Sequence, residues 1–111
     1  MKKWKCGVCG FIHDGDGAPD KCPKCNAAKE KFALLDDAAA NLVERSRRTN
    51  MLHMRLASLA REMEAVCKDG IADNLDPNCV VVFNKALAHS YEIMKLSMTE
   101  LQGHMSKGKW G

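Results

Sequence analysis

The chain has 111 residues and a formal net charge of +3, from 17 Lys and Arg against 14 Asp and Glu. That length allows one small domain, or a very small one joined to a helical piece, and excludes a large core. No dense basic stripe with interleaved aromatics is present, which argues against nucleic-acid binding, and the MKKWKC start has no apolar run behind it. Neither a secretory signal nor a membrane-spanning helix is therefore expected, and the expected location is the cytoplasm.

Residues 1–34 read as a small β domain of turns and short strands, with four glycines and two prolines (Pro19, Pro23). This head carries seven Lys against four acids, so it holds all of the excess charge. Its dominant feature is two CxxC pairs, Cys6/Cys9 in CGVCG and Cys22/Cys25 in CPKCN. Each CxxC turn presents two thiolates from one tight loop, so two facing turns close a tetrahedral S4 cage for one metal ion. So short a segment buries too little apolar surface to fold unaided, and in a reducing compartment its thiols stay available to a metal, so metal binding there is also folding. The cage is a zinc-ribbon-like arrangement, and the ligand set by itself does not separate iron from zinc. Trp4, Phe11 and Phe32 are expected to pack as the small core, His13 to lie at the surface, and the backbone N–H groups of Gly7, Val8 and Gly10 to face the sulfurs.

After Leu34 the composition turns helical, and residues 35–111 read as an all-α hairpin. Asp36 or Asp37 caps the first helix and Gly70 is expected to end it. Asp76 before Pro77 opens the second helix, which is expected to run to about Gln102 or beyond. Apolar residues recur in heptads, including Leu52, Leu56, Leu59, Met63 and Val66 on the first helix and Leu87, Tyr91, Met94, Met98 and Leu101 on the second. Pairing these seams about the intervening loop sets Leu59 against Leu87, Leu52 against Met94 and Cys67 against Cys79, near enough for a redox-sensitive disulfide, although two reduced, partly buried thiols are the expected state. Val43, Met54, Ile93 and Leu96 fall off the seams, so two hairpins are expected to pair as a dimeric four-helix bundle. His53, His89 and His104 stand among methionines on the helices, a composition that also serves haem, but no CxxCH accompanies them and methionine usually fills irregular gaps.

The run WKCGVCGFIHDGDGAPDKCPKCNAAKEKF resembles the rubredoxin-like domain of rubrerythrins, small iron-sulfur domains of anaerobes used in peroxide defence. The likeness covers about the first 32 residues and rests on Trp4, Gly10, the short Gly-containing linker, CPxC and Phe32 as well as on the cysteines. Asn26 stands where free rubredoxins place Gly after the fourth cysteine, a departure shared by rubrerythrin-type domains. The resemblance implies one iron held by Cys6, Cys9, Cys22 and Cys25 and cycling between ferric and ferrous states. It does not extend to the tail: three residues beyond Glu44, Glu62, Glu64, Glu92 and Glu100 stand Arg47, Ala65, Cys67, Lys95 and Gly103, so the ExxH pair of a di-iron bundle is missing.

The sequence thus reads as a rubredoxin-like one-electron carrier with an Fe(Cys)4 head in anaerobic redox or oxidative-stress metabolism, whose partners are other redox proteins. With no nucleophile, base or phosphate loop in view, it reads as a carrier rather than an enzyme. The alternative is a structural zinc-ribbon module whose helices bind another protein.

Overall fold

The computed structural model describes all residues, 1–111. The chain forms two compact units, Met1–Arg47 with Lys107–Gly111, and Arg48–Ser106.

The first unit contains a three-stranded antiparallel sheet in the order β2-β1-β3, from β1 (Lys3–Cys6), β2 (Ile12–Asp14) and β3 (Phe32–Leu34). Trp4 pairs with His13 on one side and Leu34 on the other, and Cys6 pairs with Phe32. Alternation along β1 puts Trp4 and Cys6 on the face of the small core, while Lys3, on the opposite face, is also buried. Cys6, Cys22 and Phe32 form the small core, with Trp4, Ala18, Cys25 and Ala27 against it. Phe11, expected in that core, stands half in solvent, because the second position after Cys9 is used for its carbonyl, which accepts the Cys6 N–H at 2.9 Å. Trp4 donates its indole N–H to the Gly15 carbonyl at 3.1 Å, so its polar edge is satisfied inside the head.

The helices are α1 (Asp37–Asp73) and α2 (Pro77–Ser106), which form a hairpin. Asp36 caps α1, its Oδ1 accepting the Ala39 N–H at 2.7 Å, and Asp76 caps α2 through the Cys79 N–H at 2.8 Å, with Pro77 at the first helical position. Gly70 does not end α1. The helix continues to Asp73 and is closed by Asn74 in the left-handed region (φ 48°), whose N–H returns to the Gly70 carbonyl. Gly70 serves packing instead: a Cβ there would run into the Phe83 ring.

The hairpin register also departs from the expected one. The contacts Asn50–His104, His53–Ser97, Glu64–Tyr91 and Gly70 beside Phe83 slide α2 by about two turns. Cys67 and Cys79 are therefore not opposed in that register, and both are free thiols. The buried stripe of α1 in the second unit runs through Asn50, Ala60, Glu64 and Cys67, and that of α2 through Ser90, Ser97, Leu101 and His104. Small residues let the helices approach, and the polar ones pair across the gap. The heptad Leu52, Leu56, Leu59 and Val66 lies beside this stripe and stays 45–62% exposed. No helix of the chain is long and apolar enough to cross a membrane.

Candidate metal centre

The two CxxC turns are built alike, and the backbone explains why. In the first, Gly10 N–H donates to the Cys6 carbonyl at 2.9 Å; in the second, Asn26 N–H donates to the Cys22 carbonyl at 2.8 Å. Cys6 N–H then meets the Phe11 carbonyl and Cys22 N–H the Ala27 carbonyl. Each turn needs a left-handed residue just after its second cysteine, supplied by Gly10 (φ 82°) and Asn26 (φ 63°). Asparagine is among the few non-glycine residues that adopt this conformation readily, which is why position 26 departs from glycine without altering the turn.

These turns bring the four sulfurs together. The Sγ atoms of Cys6, Cys9, Cys22 and Cys25 all lie within 4.8 Å of one another, with Cys6–Cys25 at 3.7 Å and Cys9–Cys22 at 3.6 Å. A regular tetrahedron with metal–sulfur bonds of about 2.3 Å has edges of about 3.75 Å, so the two cross-turn spacings are those a single tetrahedrally bound ion requires. All four are free thiols, and the donor set suits iron or zinc.

Backbone N–H groups supply the electrostatics. Those of Cys9 and Val8 donate toward the Cys6 sulfur and hold its pKa down to about 6, against the opposing effect of burial. Burial pushes the Cys22 thiol up, but the N–H groups of Cys25 and Lys24 outweigh it and the net shift is downward. Cys25 receives the Ala27 N–H, yet burial and the three neighbouring sulfurs push it up to about 12. Of the donors expected from the sequence, Val8 faces a sulfur, whereas Gly7 N–H goes to the Lys31 carbonyl at 2.8 Å and Gly10 N–H to Cys6 oxygen. Cys6 and Cys22 are buried and Cys9 is exposed, so one edge of the cluster reaches solvent.

What the sequence did not single out is the ionic frame of this unit. Lys3 is buried, and its Nζ donates to Glu44 at 2.6 Å and Asp14 at 2.9 Å. Arg47 binds Asp14 through both terminal nitrogens and the Gly111 carbonyl through Nε. Arg47 and then Lys3 hold the Asp14 carboxyl well below the usual carboxylate range. Glu44 and Arg47 stand three apart, the spacing at which a di-iron bundle would carry Glu and His, and here that spacing forms the clamp. The helix histidines lie away from any such cluster in their partners: His104 Nδ1 is 2.6 Å from Asn50 Oδ1, and His53 Nδ1 is 3.2 Å from Ser97 Oγ.

Residues 4–33 match the family described as the rubredoxin-like domain of rubrerythrin. The chain is 57% identical to reverse rubrerythrin-1 of Clostridium acetobutylicum over 37 residues, covering 33% of this chain and 20% of that protein. It is 52% identical to the rubrerythrin of Nitratidesulfovibrio vulgaris over 33 residues, 30% of this chain and 17% of that one. The chain thus spans about a fifth of the length of these relatives. With rubredoxin-1 of Alcanivorax borkumensis it shares 36% identity over 53 residues, 32% of this chain but 98% of the relative. No solved structure matches the chain. The paired turns, the four converging sulfurs and these likenesses place the chain, through residues 4–33, in the rubredoxin family, with a head of the rubrerythrin type.

Proposed function

We propose that the chain is a one-electron carrier with a single iron held by Cys6, Cys9, Cys22 and Cys25, working in anaerobic redox or oxidative-stress metabolism. The observation that carries this reading is the convergence of four sulfurs within 4.8 Å of one another, the most buried of which receive backbone N–H groups. Bound iron would supply a ferric/ferrous couple at this site. The chain's own part is to fix four ligands in a geometry both states accept, to keep water from Cys6 and Cys22, and to place N–H dipoles where added negative charge is stabilised. Six unpaired cysteines fit a reducing, cytoplasmic setting. The partners under this reading are a protein electron donor and acceptor.

The reading includes a homodimer. The exposed Leu52, Leu56, Leu59 and Val66 repeat at coiled-coil spacing, and covering them with a second hairpin returns roughly 1.5 to 3 kcal/mol for each side chain fully buried.

The test is the absorption spectrum and metal content of protein isolated in air. One iron per chain, thiolate-to-ferric charge-transfer bands and reversible bleaching by dithionite are expected. A colourless protein with one zinc, after expression in excess iron, would replace this reading with a structural zinc module.

A further inference from the structure

Beyond α2 the chain turns back on the first unit. Gly108 takes the left-handed conformation (φ 70°) that closes a helix, beside the Leu42 side chain, and Lys107–Gly111 then belong to the same compact unit as the sheet. Gly111 lies in a cradle made by β2 and α1. A Cβ built there would run into Cγ1 of Ile12 and come within 3.3 Å of Cγ1 of Val43, and its φ of 142° also favours glycine, so a larger residue at 111 must displace its neighbours. Arg47 fastens this segment: Nε donates to the Gly111 carbonyl at 2.7 Å while both terminal nitrogens hold Asp14 at the end of β2. Val43, expected from the sequence to await a second hairpin, is 3% exposed within the single chain. Ile12, the residue under Gly111, is one step from the sulfur cage. It pairs with Lys5, and the carbonyl of its neighbour Phe11 accepts the Cys6 N–H at 2.9 Å. The second turn closes on itself instead, with Cys22 N–H going to Ala27 and Asn26 N–H to Cys22.

We infer that Lys107–Gly111 is a strap that holds β2 against α1 and thereby governs how firmly the Cys6–Cys9 turn keeps its metal, with Gly111 and Arg47 as positioning residues. The inference rests on metal binding by the four cysteines, and not on which metal they hold. The physical route is local opening: an ion leaves when its ligands part, and β2, three residues long, has little backbone pairing of its own to prevent that. Docking on Ile12, and through Arg47 on Asp14, raises the cost of opening on the side of the first turn. Because the strap continues directly from α2, the chain itself ties the hairpin to retention of the metal. The dependence is reciprocal, so a filled cage keeps the strap docked.

The zinc-loaded full chain is mixed with an excess of a chromophoric chelator, and the rate of zinc transfer is compared with that of G111V and of a variant lacking residues 107–111. Both variants are expected to release zinc about tenfold faster, since metal binding and folding of the sheet are one process. G111A, which adds a single methyl, serves where G111V does not hold zinc. G103A is the control, because a Cβ at Gly103 in α2 meets nothing within 4 Å, and it is expected to release zinc at the parent's rate. Amide hydrogen exchange of the zinc-loaded proteins separates positioning from general weakening. In the strap variants the Cys6 and Gly10 amides are expected to exchange faster while those of Cys22 and Asn26 keep the parent's rates. Parent-like zinc release in the strap variants, or equal acceleration of exchange at both turns, would overturn the inference. A parent chain that takes up no zinc would remove the metal-site reading itself, and shows before any variant is compared.

Discussion

Arg47 clasps Asp14 with two parallel hydrogen bonds, Nη1 to Oδ2 at 2.5 Å and Nη2 to Oδ1 at 2.8 Å, joining the third turn of α1 to β2 across 33 residues. Asp14 also serves the buried ammonium of Lys3, whose side chain is 4% exposed. Burial disfavours the Lys3 charge, but Glu44 and Asp14 outweigh it and raise its pKa. The head is thus held by two devices, the sulfur cage and this ionic clamp.

Removing the clamp's shared carboxylate is expected to destabilise the first unit. Asp14→Ala leaves Glu44 as the remaining side-chain carboxylate for Arg47 and Lys3. The cost is expected at about 1–3 kcal/mol, between the roughly 0–1 of exposed pairs and the roughly 3–5 of fully buried ones. Thermal unfolding followed by tryptophan fluorescence, from Trp4 and Trp110 in this unit, measures it, and a melting temperature equal to the parent's would show the clamp to be energetically idle.

The same carboxylate gives a pH dependence with a definite sign. Its folded-state pKa is depressed, so its contribution is complete above the ordinary value of about 3.9 and is lost as pH falls below that toward the folded value. The stability gap between parent and Asp14→Asn is therefore expected to be constant from about pH 7 to 5 and to narrow below about pH 4. A gap that widens on acidification would contradict the assignment.

Serine in place of any one of Cys6, Cys9, Cys22 or Cys25 is expected to release the metal and unfold the sheet, because the head's core is built on the cysteines themselves. The helices keep their own caps and their Asn50–His104 and His53–Ser97 pairs. Far-ultraviolet circular dichroism of Cys22→Ser should retain most of the helical signal; its loss would mean that the two units fold as one.

Gly70→Ala sets helix propensity against packing. Propensity alone favours Ala by about 1 kcal/mol in a helix interior, but the new Cβ meets the Phe83 ring. A net loss of about 1–3 kcal/mol is expected, as for overpacked sites, and Phe83→Leu should recover part of it. Stabilisation by Gly70→Ala in denaturant titrations would show that the hairpin yields at this point.

If the exposed heptad is a dimer surface, Leu56→Glu and Leu59→Glu should convert the protein to monomer without loss of the head's metal, since neither side chain belongs to the buried stripe of its own hairpin. Light scattering over a range of concentrations measures this. A parent protein that is monomeric at every concentration would remove the dimer from the proposal.

The cysteine spacing, Asp36, Asp76 and Pro77 state their roles locally, because a CxxC turn or a helix cap is made within a few residues of chain. The sulfur cluster, the helix starts and the kinship of residues 4–33 were therefore legible in the sequence. Which stripe of each helix faces its partner was not. Leucine periodicity marks a face that wants burial without saying what buries it, and within the hairpin the contact went to Ala60, Ser90 and Ser97, where small side chains allow close approach and Asn50 finds His104. Gly70 likewise carried the signal of a helix end, and only the arrival of Phe83 from α2 made it a packing site. Lys3, Asp14, Glu44 and Arg47 look like ordinary surface charges in sequence; they became a clamp around the buried Lys3 because β1, β2 and α1 meet in the first unit, a meeting that depends on contacts 33 and 41 residues apart.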